Sequence, residues 1–331
     1  MKPVTTAIIG CGPRGNGHAR AAMEGGALTI KAACDIRRDR LDEATKNWGV
    51  PGTVDYREIL KDDTIEAVNI VTDVNNHLHI VRDALRAGKH IICEKPFGHD
   101  ITLARELGEL AADSGLVTTI SFQLRFAAKY AAMYRASRSM DPVQILMGRS
   151  RGMMSDKFLN PSPFCGMMDV CAHDFDLVCF FMGRTPQAVT AVVGRNTFTR
   201  DTGATDLVSA LIDFGDGRSA TVVSSIGAAE IGDKFDLSGT KGNLCMARGR
   251  EASGVRFEEF DSQGSKTEVD LSTKGAPPPD VALQQAFQRE IREGKQSHCA
   301  RFPDGINSLL LTLASLKSMD EGRRVELAEL T

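Results

Sequence analysis

A histidine lies between two carboxylates in the segment Asp169-Val170-Cys171-Ala172-His173-Asp174-Phe175-Asp176. On a helix, Asp169, His173 and Asp176 are spaced i, i+4 and i+7, and they therefore share one face. A histidine on such a face can act as an acid or base near neutral pH, with a carboxylate holding its tautomer. A core histidine whose hydrogen bonds are satisfied inside the protein accounts for the segment about equally well.

The cysteines near His173 raise a third interpretation, a metal site formed with Cys165, Cys171 and Cys179. On a helix, Cys171 points away from the face that carries Asp169 and His173. The spacing of these residues also matches no common zinc-binding pattern. We therefore expect no metal site here.

A lysine occupies the middle of Glu94-Lys95-Pro96, directly after the apolar run Ile91-Ile92-Cys93. If that run is a strand of a parallel sheet, Lys95 projects from its carboxyl end, where open α/β sheets bind ligands. The ammonium group could then hydrogen-bond a substrate hydroxyl and stabilise a developing oxyanion. A surface lysine in a turn is the alternative, and position alone does not decide between the two.

A glycine-rich loop, Gly10-Cys11-Gly12-Pro13-Arg14-Gly15, matches the GxGxxG fingerprint of dinucleotide binding. It lies between a predicted strand and a predicted helix, and Asp35 ends the second predicted strand 20 residues after Gly15. In this motif Gly10 makes a tight turn, Gly12 admits the pyrophosphate, and Gly15 lets helix and strand pack closely. The helix N-terminus then offers free N–H groups to the phosphates, and proline is tolerated in its first turn. A glycine-rich turn without a ligand is the weaker interpretation.

Asp35 and the two arginines that follow it favour different cofactors. The carboxylate of Asp35 would bind the adenosine ribose hydroxyls, which favours NAD(H). A guanidinium from Arg37 or Arg38 could instead bind a 2′-phosphate, which suits NADP(H), unless both arginines are solvated at the start of a helix. We expect NAD(H), with NADP(H) as the alternative.

The elements that would position these residues change character near residue 123. Before it, strands alternate with helices, which predicts a doubly wound parallel sheet of the Rossmann type. The predicted strands are Val4–Ile9, Leu28–Cys34, a short one near Thr53, Ala67–Val71, His90–Cys93 and Val117–Ser121, and the predicted helices are Gly15–Glu24, Arg38–Trp48, Tyr56–Lys61, His77–Ala87 and Ile101–Ser114.

After residue 123, strands follow one another with few helices between them, which predicts an α+β domain with an open, mostly antiparallel sheet. The predicted helices are Arg125–Met140, Met167–Met182, Val281–Arg292 and Asp304–Met319, and the predicted strands are Val143–Arg149, Ala188–Arg195, Leu207–Phe214, Ala220–Ile226, Lys234–Ser238, Leu244–Ala247, Val255–Phe260 and Thr267–Leu271. We therefore predict a dinucleotide-binding domain at residues 1–123 and a substrate-binding and oligomerisation domain at residues 124–331.

The second predicted sheet carries apolar residues on both faces. Val192 lies on the opposite side of its strand from Val189, Ala191 and Val193, and Leu207 and Leu211 are opposite their neighbours on the next strand. An open apolar face of this kind is usually buried by a partner. We therefore predict a homodimer or homotetramer that packs sheet to sheet.

The composition excludes several classes of partner. The 331 residues include 40 basic and 43 acidic side chains, so there is no overall positive field for nucleic acid or an anionic membrane. The longest apolar runs are far shorter than the roughly 20 residues that cross a bilayer. The eight cysteines contain no CxxC pair, and the N-terminal apolar stretch is too short for a secretion signal, which indicates a cytoplasmic protein.

The chain resembles the Gfo/Idh/MocA family of nicotinamide-dependent sugar and polyol oxidoreductases. Besides the glycine-rich loop, the resemblance rests on Asn76-His77-Leu78-His79, on the stretch 87–96 ending in Glu94-Lys95-Pro96, on Phe122-Gln123-Leu124-Arg125-Phe126, on Asp169-xxx-His173-xx-Asp176, and on Gly239-Thr240-Lys241-Gly242. It implies that Lys95 and His173 are catalytic and that Asp169 lies beside them in the substrate pocket.

The resemblance also implies that Thr72, His79 and Glu94 line the nicotinamide side and that Gln123 and Arg125 are within reach of cofactor or substrate. The predicted cofactor site thus comprises Gly10, Cys11, Gly12, Pro13, Arg14, Gly15, Asp35, Arg37, Thr72, His79, Glu94, Lys95 and Gln123, and the predicted substrate site comprises Lys95, Arg125, Asp169 and His173.

Two stretches depart from the family pattern. Thr72-Asp73 stands where the family often has Thr-Pro, beside the expected cofactor. Phe164-Cys165-Gly166-Met167-Met168 replaces a glycine-rich stretch before the Asp-xxx-His helix. Together with Met153 and Met154, its bulky residues suggest soft apolar walls for the substrate pocket, although methionine more often fills gaps in a core.

The function that these observations favour is hydride transfer between nicotinamide and a secondary hydroxyl of a sugar, polyol or related cyclic substrate. His173 would remove the hydroxyl proton, Lys95 would stabilise the oxyanion, and Asp169 would orient substrate and base. This hypothesis requires Lys95 and His173 to converge on one reactive carbon. Two alternatives are a glycosidase that oxidises its substrate transiently with bound NAD, and a non-enzymatic regulator that senses the dinucleotide.

Overall fold

The computed structural model describes residues 1–151, 167–195, 197, 203–227, 232–248, 255–261, 263–270 and 275–330. These residues form two compact units. The first unit comprises Met1–Ala127 and Ala276–Ile306, and the second comprises Ala128–Gly275 and Asn307–Thr331. The structure therefore divides the chain differently from the predicted boundary, because residues 124–127 and 276–306 belong with the N-terminal part.

The first unit is built on a six-stranded parallel sheet with the strand order β3-β2-β1-β4-β5-β6. Its strands are β1 (Val4–Ile9), β2 (Leu28–Cys34), β3 (Gly52–Thr53), β4 (Ala67–Ile70), β5 (His90–Cys93) and β6 (Thr118–Ile120). Its helices are α1 (Pro13–Gly25), α2 (Arg38–Trp48), α3 (Tyr56–Leu60), α4 (Val74–Arg86), α5 (Ile101–Asp113) and, from the C-terminal part of the chain, α8 (Pro279–Glu293). The predicted Rossmann-type fold is confirmed.

Local signals set the ends of these helices. Pro13 occupies the first turn of α1, and Gly26 ends the helix in the left-handed conformation that glycine adopts without strain. The side chain of Asp73 accepts a hydrogen bond from the backbone N–H of Asn75 and caps α4. Helix α4 therefore begins at Val74, three residues before the predicted start, and Asp73 supplies a cap at the position where the family often has proline.

Helix α8 belongs to the first unit because its apolar face completes that unit's core. Leu283, Ala286 and Phe287 pack with Val4 of β1 and Ile92 of β5. Period and length alone predicted the helix but could not show which sheet it covers. The edge strand β6 is protected on its outer side, since Ile120 N–H donates to the carbonyl of Ala300.

The second unit is built on a nine-stranded mixed sheet with the order β14-β13-β12-β11-β7-β10-β9-β8-β15. Its strands are β7 (Pro142–Arg151), β8 (Ala188–Arg195), β9 (Thr205–Gly215), β10 (Arg218–Ile226), β11 (Gly232–Gly239), β12 (Gly242–Arg248), β13 (Val255–Asp261), β14 (Lys266–Asp270) and β15 (Val325–Glu326). Among the described strand pairs of this second sheet, only β7 with β10 is parallel, so the mostly antiparallel sheet is confirmed. Strand β15 was not predicted.

Helices α6 (Ala128–Ser137) and α7 (Met167–Met182) lie in the second unit, and α9 (Phe302–Glu321) contributes to both units. The predicted helix Arg125–Met140 is divided, since Gln123–Phe126 form a 3-10 turn and Ala127 has extended backbone before α6 begins. Helix α7 contacts β7, β9 and β10 on one face of the sheet. Within the described ranges, no helix combines the length and apolar character needed to cross a membrane.

The opposite face of this sheet exposes apolar side chains. Leu146 of β7 and Leu211 of β9 lie in one row across the sheet, and Val223 of β10 and Val192 of β8 lie in the next row. Their exposed fractions are 39%, 53%, 44% and 65%, respectively. The predicted two-sided apolar pattern is therefore present in the fold.

Candidate active site

The glycine-rich loop follows β1 at the carboxyl edge of the parallel sheet. Gly10 has φ +107, and a Cβ there would lie 2.3 Å from the carbonyl oxygen of Val71. A Cβ at Gly15 would lie 2.0 Å from the carbonyl oxygen of Gly10, so only glycine fits either position. A Cβ at Gly12 would meet only the Arg40 guanidinium, at 3.6 Å. The cradle therefore fits a dinucleotide pyrophosphate at the N-terminus of α1.

Asp35 is buried at the end of β2, and its carboxylate holds the loop in place. One oxygen accepts the backbone N–H of Cys11 at 2.8 Å, and the other accepts the backbone N–H of Arg37 at 2.8 Å. The Arg37 guanidinium is engaged elsewhere, since it donates two hydrogen bonds to Asp39 at 2.6 and 3.1 Å. Arg38 is exposed at the start of α2.

Lys95 follows β5 at the same edge of the sheet. Glu94 N–H donates to the carbonyl of Ile70, which extends the pairing of β5 with β4 by one residue. Lys95 comes next and is half-buried, and the Lys95-Pro96 peptide bond is cis. Because neighbouring strands lie about 4.8 Å apart, β5 is roughly 10 Å from β1, a distance that a dinucleotide on the glycine loop can bridge.

Glu94 points toward α1 rather than remaining free at this edge. Its Oε1 accepts hydrogen bonds from Arg14 Nε at 2.8 Å and lies 2.8 Å from His18 Nε2. Arg14 also donates to both oxygens of Asp280 on α8, at 2.6 and 2.9 Å. Burial alone would raise the pKa of Glu94, but the charges of Arg14, His18 and Lys95 hold it well below its usual range.

The other predicted nicotinamide-side residues lie on and before α4. Thr72 is half-buried in the loop after β4, whereas His79 is exposed on the outer side of α4. His77 is the buried histidine of this helix, and its ring nitrogens lie 2.9 Å from the carbonyl oxygen of Pro96 and 3.1 Å from that of Thr72. The sequence pattern contained His77, but it gave no signal that this residue joins two loops.

Gln123 and Arg125 lie in the 3-10 turn after β6. Arg125 is buried, and its guanidinium lies 3.3 Å from the carboxylate of Asp304. Gln123 is half-buried at the start of the turn. Contact of either residue with cofactor or substrate stays a prediction.

Helix α7 of the second unit carries the predicted Asp-xxx-His face. Asp169 is half-buried in its first turn, His173 is buried one turn later, and Asp176 is almost fully buried. The side chains of Val170, Leu177 and Phe181 on the same helix are also buried. Cys165 and the departures Met153, Met154 and Phe164–Gly166 lie outside the described residues, and Met167 and Met168 open the helix.

A charged pair fixes α7 to the sheet beside His173. Arg149 of β7 donates to Asp174 Oδ1, and the Ser224 hydroxyl donates to Asp174 Oδ2 at 2.6 Å. The Arg149 guanidinium also faces Asp233 at 3.6 Å, and Asp233 accepts from Lys129. Complete burial raises the pKa of Asp174, although the charge of Arg149 opposes this shift. The sequence offered no way to separate this structural aspartate from its neighbours.

Two sequence profiles of one protein family match the chain. The profile described as "Oxidoreductase family, NAD-binding Rossmann fold" matches residues 4–122, and the "GFO/IDH/MocA C-terminal domain" matches residues 143–245. The chain belongs to the Gfo/Idh/MocA family. The first unit is accordingly an NAD-binding Rossmann domain, in agreement with the glycine cradle and the position of Asp35.

Relatives in the Gfo/Idh/MocA family extend over nearly the whole chain. The chain is 25% identical to myo-inositol 2-dehydrogenase of Thermotoga maritima, with 97% of this chain and 98% of the relative covered. It is also 25% identical to scyllo-inositol 2-dehydrogenase (NAD(+)) of Bacillus subtilis, with 98% and 96% covered.

Solved structures show the same fold. An oxidoreductase from Agrobacterium radiobacter in complex with NAD+, L-tartaric acid and magnesium matches with a TM-score of 0.86 at 21% identity, and the match covers 99% of both chains. Levoglucosan dehydrogenase in complex with NADH and levoglucosan matches with a TM-score of 0.84 at 19% identity, covering 98% and 99%.

Proposed function

We propose that this protein is an NAD-dependent dehydrogenase that oxidises a secondary hydroxyl of a sugar or polyol. The position of Lys95 carries the proposal, because this lysine leaves β5 at the same sheet edge as the glycine cradle of an NAD-binding unit. The inositol dehydrogenases among the relatives support a polyhydroxylated ring as substrate.

Each of three side chains has a distinct task in this mechanism. The Lys95 ammonium donates a hydrogen bond to the reacting oxygen and stabilises its developing negative charge. The imidazole of His173 accepts the hydroxyl proton, which contributes a factor of about 10²–10⁴ to the rate. Asp169 accepts a hydrogen bond from the substrate and orients it for His173. When bound, the nicotinamide supplies the hydride acceptor.

We propose NAD(H) rather than NADP(H) because the carboxylate of Asp35 at the expected ribose position would repel a 2′-phosphate. The buried carboxylate of Asp35 stands at the end of β2, and the guanidinium of Arg37 is neutralised by Asp39. An added 2′-phosphate would therefore meet the negative charge of Asp35, while Arg37 is held by Asp39. We expect kcat/KM with NAD+ to exceed that with NADP+ by at least tenfold.

The test is a screen of inositols, sugars and other polyols with NAD+ and NADP+, followed by the absorbance of reduced nicotinamide. With an active substrate, Lys95→Ala and His173→Ala should each lower kcat by at least about 100-fold while the affinity for NAD+ stays within about threefold. Lys31→Ala, which removes an exposed lysine of the same unit, serves as the control. Near-normal turnover in either active-site variant would refute the assignment, as would a tightly held cofactor that is not consumed during turnover.

We also propose that the protein is a homodimer or homotetramer joined through the open face of the nine-stranded sheet. The exposed side chains of Leu146, Leu211, Val192 and Val223 form adjoining rows that a second copy can cover. Such an isologous contact needs only one kind of surface. Light scattering should therefore give at least twice the mass of the chain at micromolar concentration.

The variant Val192→Lys with Leu211→Lys should shift that mass toward the monomer. Leu110→Lys, which places a lysine on an exposed apolar position of the first unit, should leave it unchanged. A monomeric wild-type protein would contradict the proposal.

We further propose that the protein works in the cytoplasm. Cys11, Cys34, Cys93, Cys171, Cys179, Cys245 and Cys299 are all free thiols, which suits a reducing compartment. Cell fractionation that places the protein with cytoplasmic markers tests this assignment.

A further inference from the structure

A buried histidine of α1 holds the residue that precedes Lys95. His18 is 2% exposed, and its Nε2 lies 2.8 Å from Glu94 Oε1. Its Nδ1 lies 3.2 Å from Asn69 Oδ1 on β4. Gln284 of α8 donates to the carbonyl of His18 at 3.0 Å, which fixes the turn of α1 that carries the ring.

His18, Asn69 and Thr6 form a series of hydrogen bonds that ends at the carbonyl of Ala67, and this last acceptor sets the direction of the others. The Thr6 hydroxyl donates to the carbonyl of Ala67, which can only accept, and Asn69 Nδ2 donates to Thr6 Oγ1 at 2.8 Å. Asn69 Oδ1 is therefore the atom that faces His18, and it accepts from Nδ1–H. The other ring nitrogen, Nε2, faces Glu94 Oε1, which also accepts a hydrogen bond from Arg14 Nε.

A second buried histidine, on α4, holds the residue that follows Lys95. His77 is 2% exposed, and its Nδ1 lies 2.9 Å from the carbonyl oxygen of Pro96. Its Nε2 lies 3.1 Å from the carbonyl oxygen of Thr72, in the loop after β4. Burial lowers the pKa of His77, which favours the neutral ring. A neutral ring has a single N–H, so at any moment it donates to the carbonyl of either Pro96 or Thr72 while it packs against both loops.

We propose that His18 and His77 are positioning residues that fix the backbone of Lys95 from its two sides. His18 holds Glu94 from α1, and His77 holds Pro96 from α4, so the lysine is placed between two anchored neighbours. This inference rests on the proposed catalytic role of Lys95. A displacement of about 1 Å at a reacting group can lower the rate about 100-fold, which is enough for these rings to control turnover.

The test compares His18→Gln and His77→Gln with His90→Gln. His90 is the control, because this half-buried ring also accepts a backbone hydrogen bond, from Val117 to its Nδ1, but at the opposite edge of the same sheet. We expect kcat to fall about 10- to 100-fold in the first two variants, with KM for NAD+ within about threefold of wild type. The control should stay within about twofold in both constants. Equal losses in all three variants would mean a general structural role and would overturn the proposal.

Hydrogen exchange of the cofactor-free protein gives a readout that does not depend on turnover. The peptide that contains Glu94, Lys95 and Pro96 should exchange faster in His18→Gln and His77→Gln than in wild type, and at the wild-type rate in His90→Gln. Unchanged exchange in the first two variants would overturn the proposal. If His18→Gln does not fold, Asn69→Ser keeps the ring, removes the partner of Nδ1 together with the hydrogen bond to Thr6, and makes the same comparison.

Combining each variant with Lys95→Ala separates this proposal from the proposed function. If the histidines act through Lys95, His18→Gln and His77→Gln should cause less than a twofold further loss in the Lys95→Ala background. A further loss as large as that in wild type would overturn the positioning role alone. Full turnover in Lys95→Ala would instead overturn the proposed function, and the positioning role with it.

Discussion

Each unit of the protein places an arginine–carboxylate pair next to a proposed catalytic residue, but the two pairs are balanced differently. In the first unit, Arg14 binds Glu94, the neighbour of Lys95. In the second unit, Arg149 binds Asp174, the neighbour of His173. The Arg14 side chain is 34% exposed, whereas that of Arg149 is only 4% exposed.

The surroundings of the two carboxylates push their pKa values in opposite directions. Around Glu94, the charges of Arg14, His18 and Lys95 outweigh the effect of burial and lower the pKa. Around Asp174, complete burial outweighs Arg149 and Ser224 and raises it. Two buried ion pairs can therefore differ in their effect on the carboxylate. The number of neighbouring cations and the access of water decide whether the ionised carboxylate is favoured.

The largest loss of stability is expected when the buried Arg149 is removed, because water cannot reach Asp174 to take its place. Arg149→Ala leaves Asp174 buried without its cation and should lower the free energy of unfolding by about 3–5 kcal/mol. Urea unfolding measures this loss. The double variant Arg149→Met with Asp174→Leu removes both charges and should recover most of it. A loss below about 1 kcal/mol in Arg149→Ala would contradict the comparison.

Arg14→Ala should be milder, at about 1–3 kcal/mol, because the pair is partly exposed and Glu94 keeps its contact with His18. The same urea titration makes the measurement. Arg57→Ala removes an exposed arginine that pairs with Asp55 and should change stability by no more than about 0.5 kcal/mol. If Arg14→Ala lowers the free energy of unfolding as much as Arg149→Ala does, the difference in solvent exposure does not explain how the two pairs stabilise the protein.

The pH dependence of two further variants should have opposite signs. Glu94 contributes stability above its ordinary pKa that is lost as pH falls, so the advantage of wild type over Glu94→Gln should shrink between pH 7 and pH 3. Asp174 binds its proton more tightly in the folded state, so the unfolding free energy of wild type should rise relative to that of Asp174→Asn as the pH falls from 7 to 3. Unfolding free energies at several pH values test both, and parallel pH profiles would contradict the prediction.

The smallest effect is expected for a more exposed pair of the first unit, Glu66 with Arg292. The hydrogen bond from Arg292 lowers the pKa of Glu66 to about 2, although burial opposes the shift. Glu66 therefore contributes stability above about pH 4.5 that is lost between about pH 4.5 and pH 2. Because both groups are partly exposed, Glu66→Gln should cost only about 1 kcal/mol at pH 7 and progressively less as the pH falls toward 2, as measured by thermal unfolding.

The sequence predicted features that depend on local order along the chain. The strand Val4–Ile9, the turn at Gly10 and the helix Met167–Met182 follow from apolar period, glycine spacing and helical geometry, and the structure has them at these places. The buried face of α7 also follows from residue spacing, which is why Asp169 and His173 were found together.

The features that sequence could not predict depend on which distant residue meets a given side chain. The expected place of Glu94 at the nicotinamide side stays a prediction, and nothing in the sequence indicated its contacts with Arg14 and His18, 80 and 76 residues away along the chain. The resemblance singled out His79, which is exposed, and gave no sign that His77 is the buried histidine of the same helix. Helix α8 was predicted correctly as a helix, but its packing on the first sheet depends on contacts with residues far away in the sequence, which the local pattern does not contain.

The double role of Asp35 sets a limit on any attempt to redesign this protein for another nucleotide. Its two oxygens hold the backbone of Cys11 in the glycine loop and of Arg37 after β2, so the residue that would choose the cofactor also anchors the loop that would carry it. Exchanging Asp35 for a neutral residue would weaken the preference for NAD(H), but it would also remove the hydrogen bonds that hold the glycine loop in place. A successful redesign would therefore have to supply a new anchor for the loop as well as free Arg37 from Asp39.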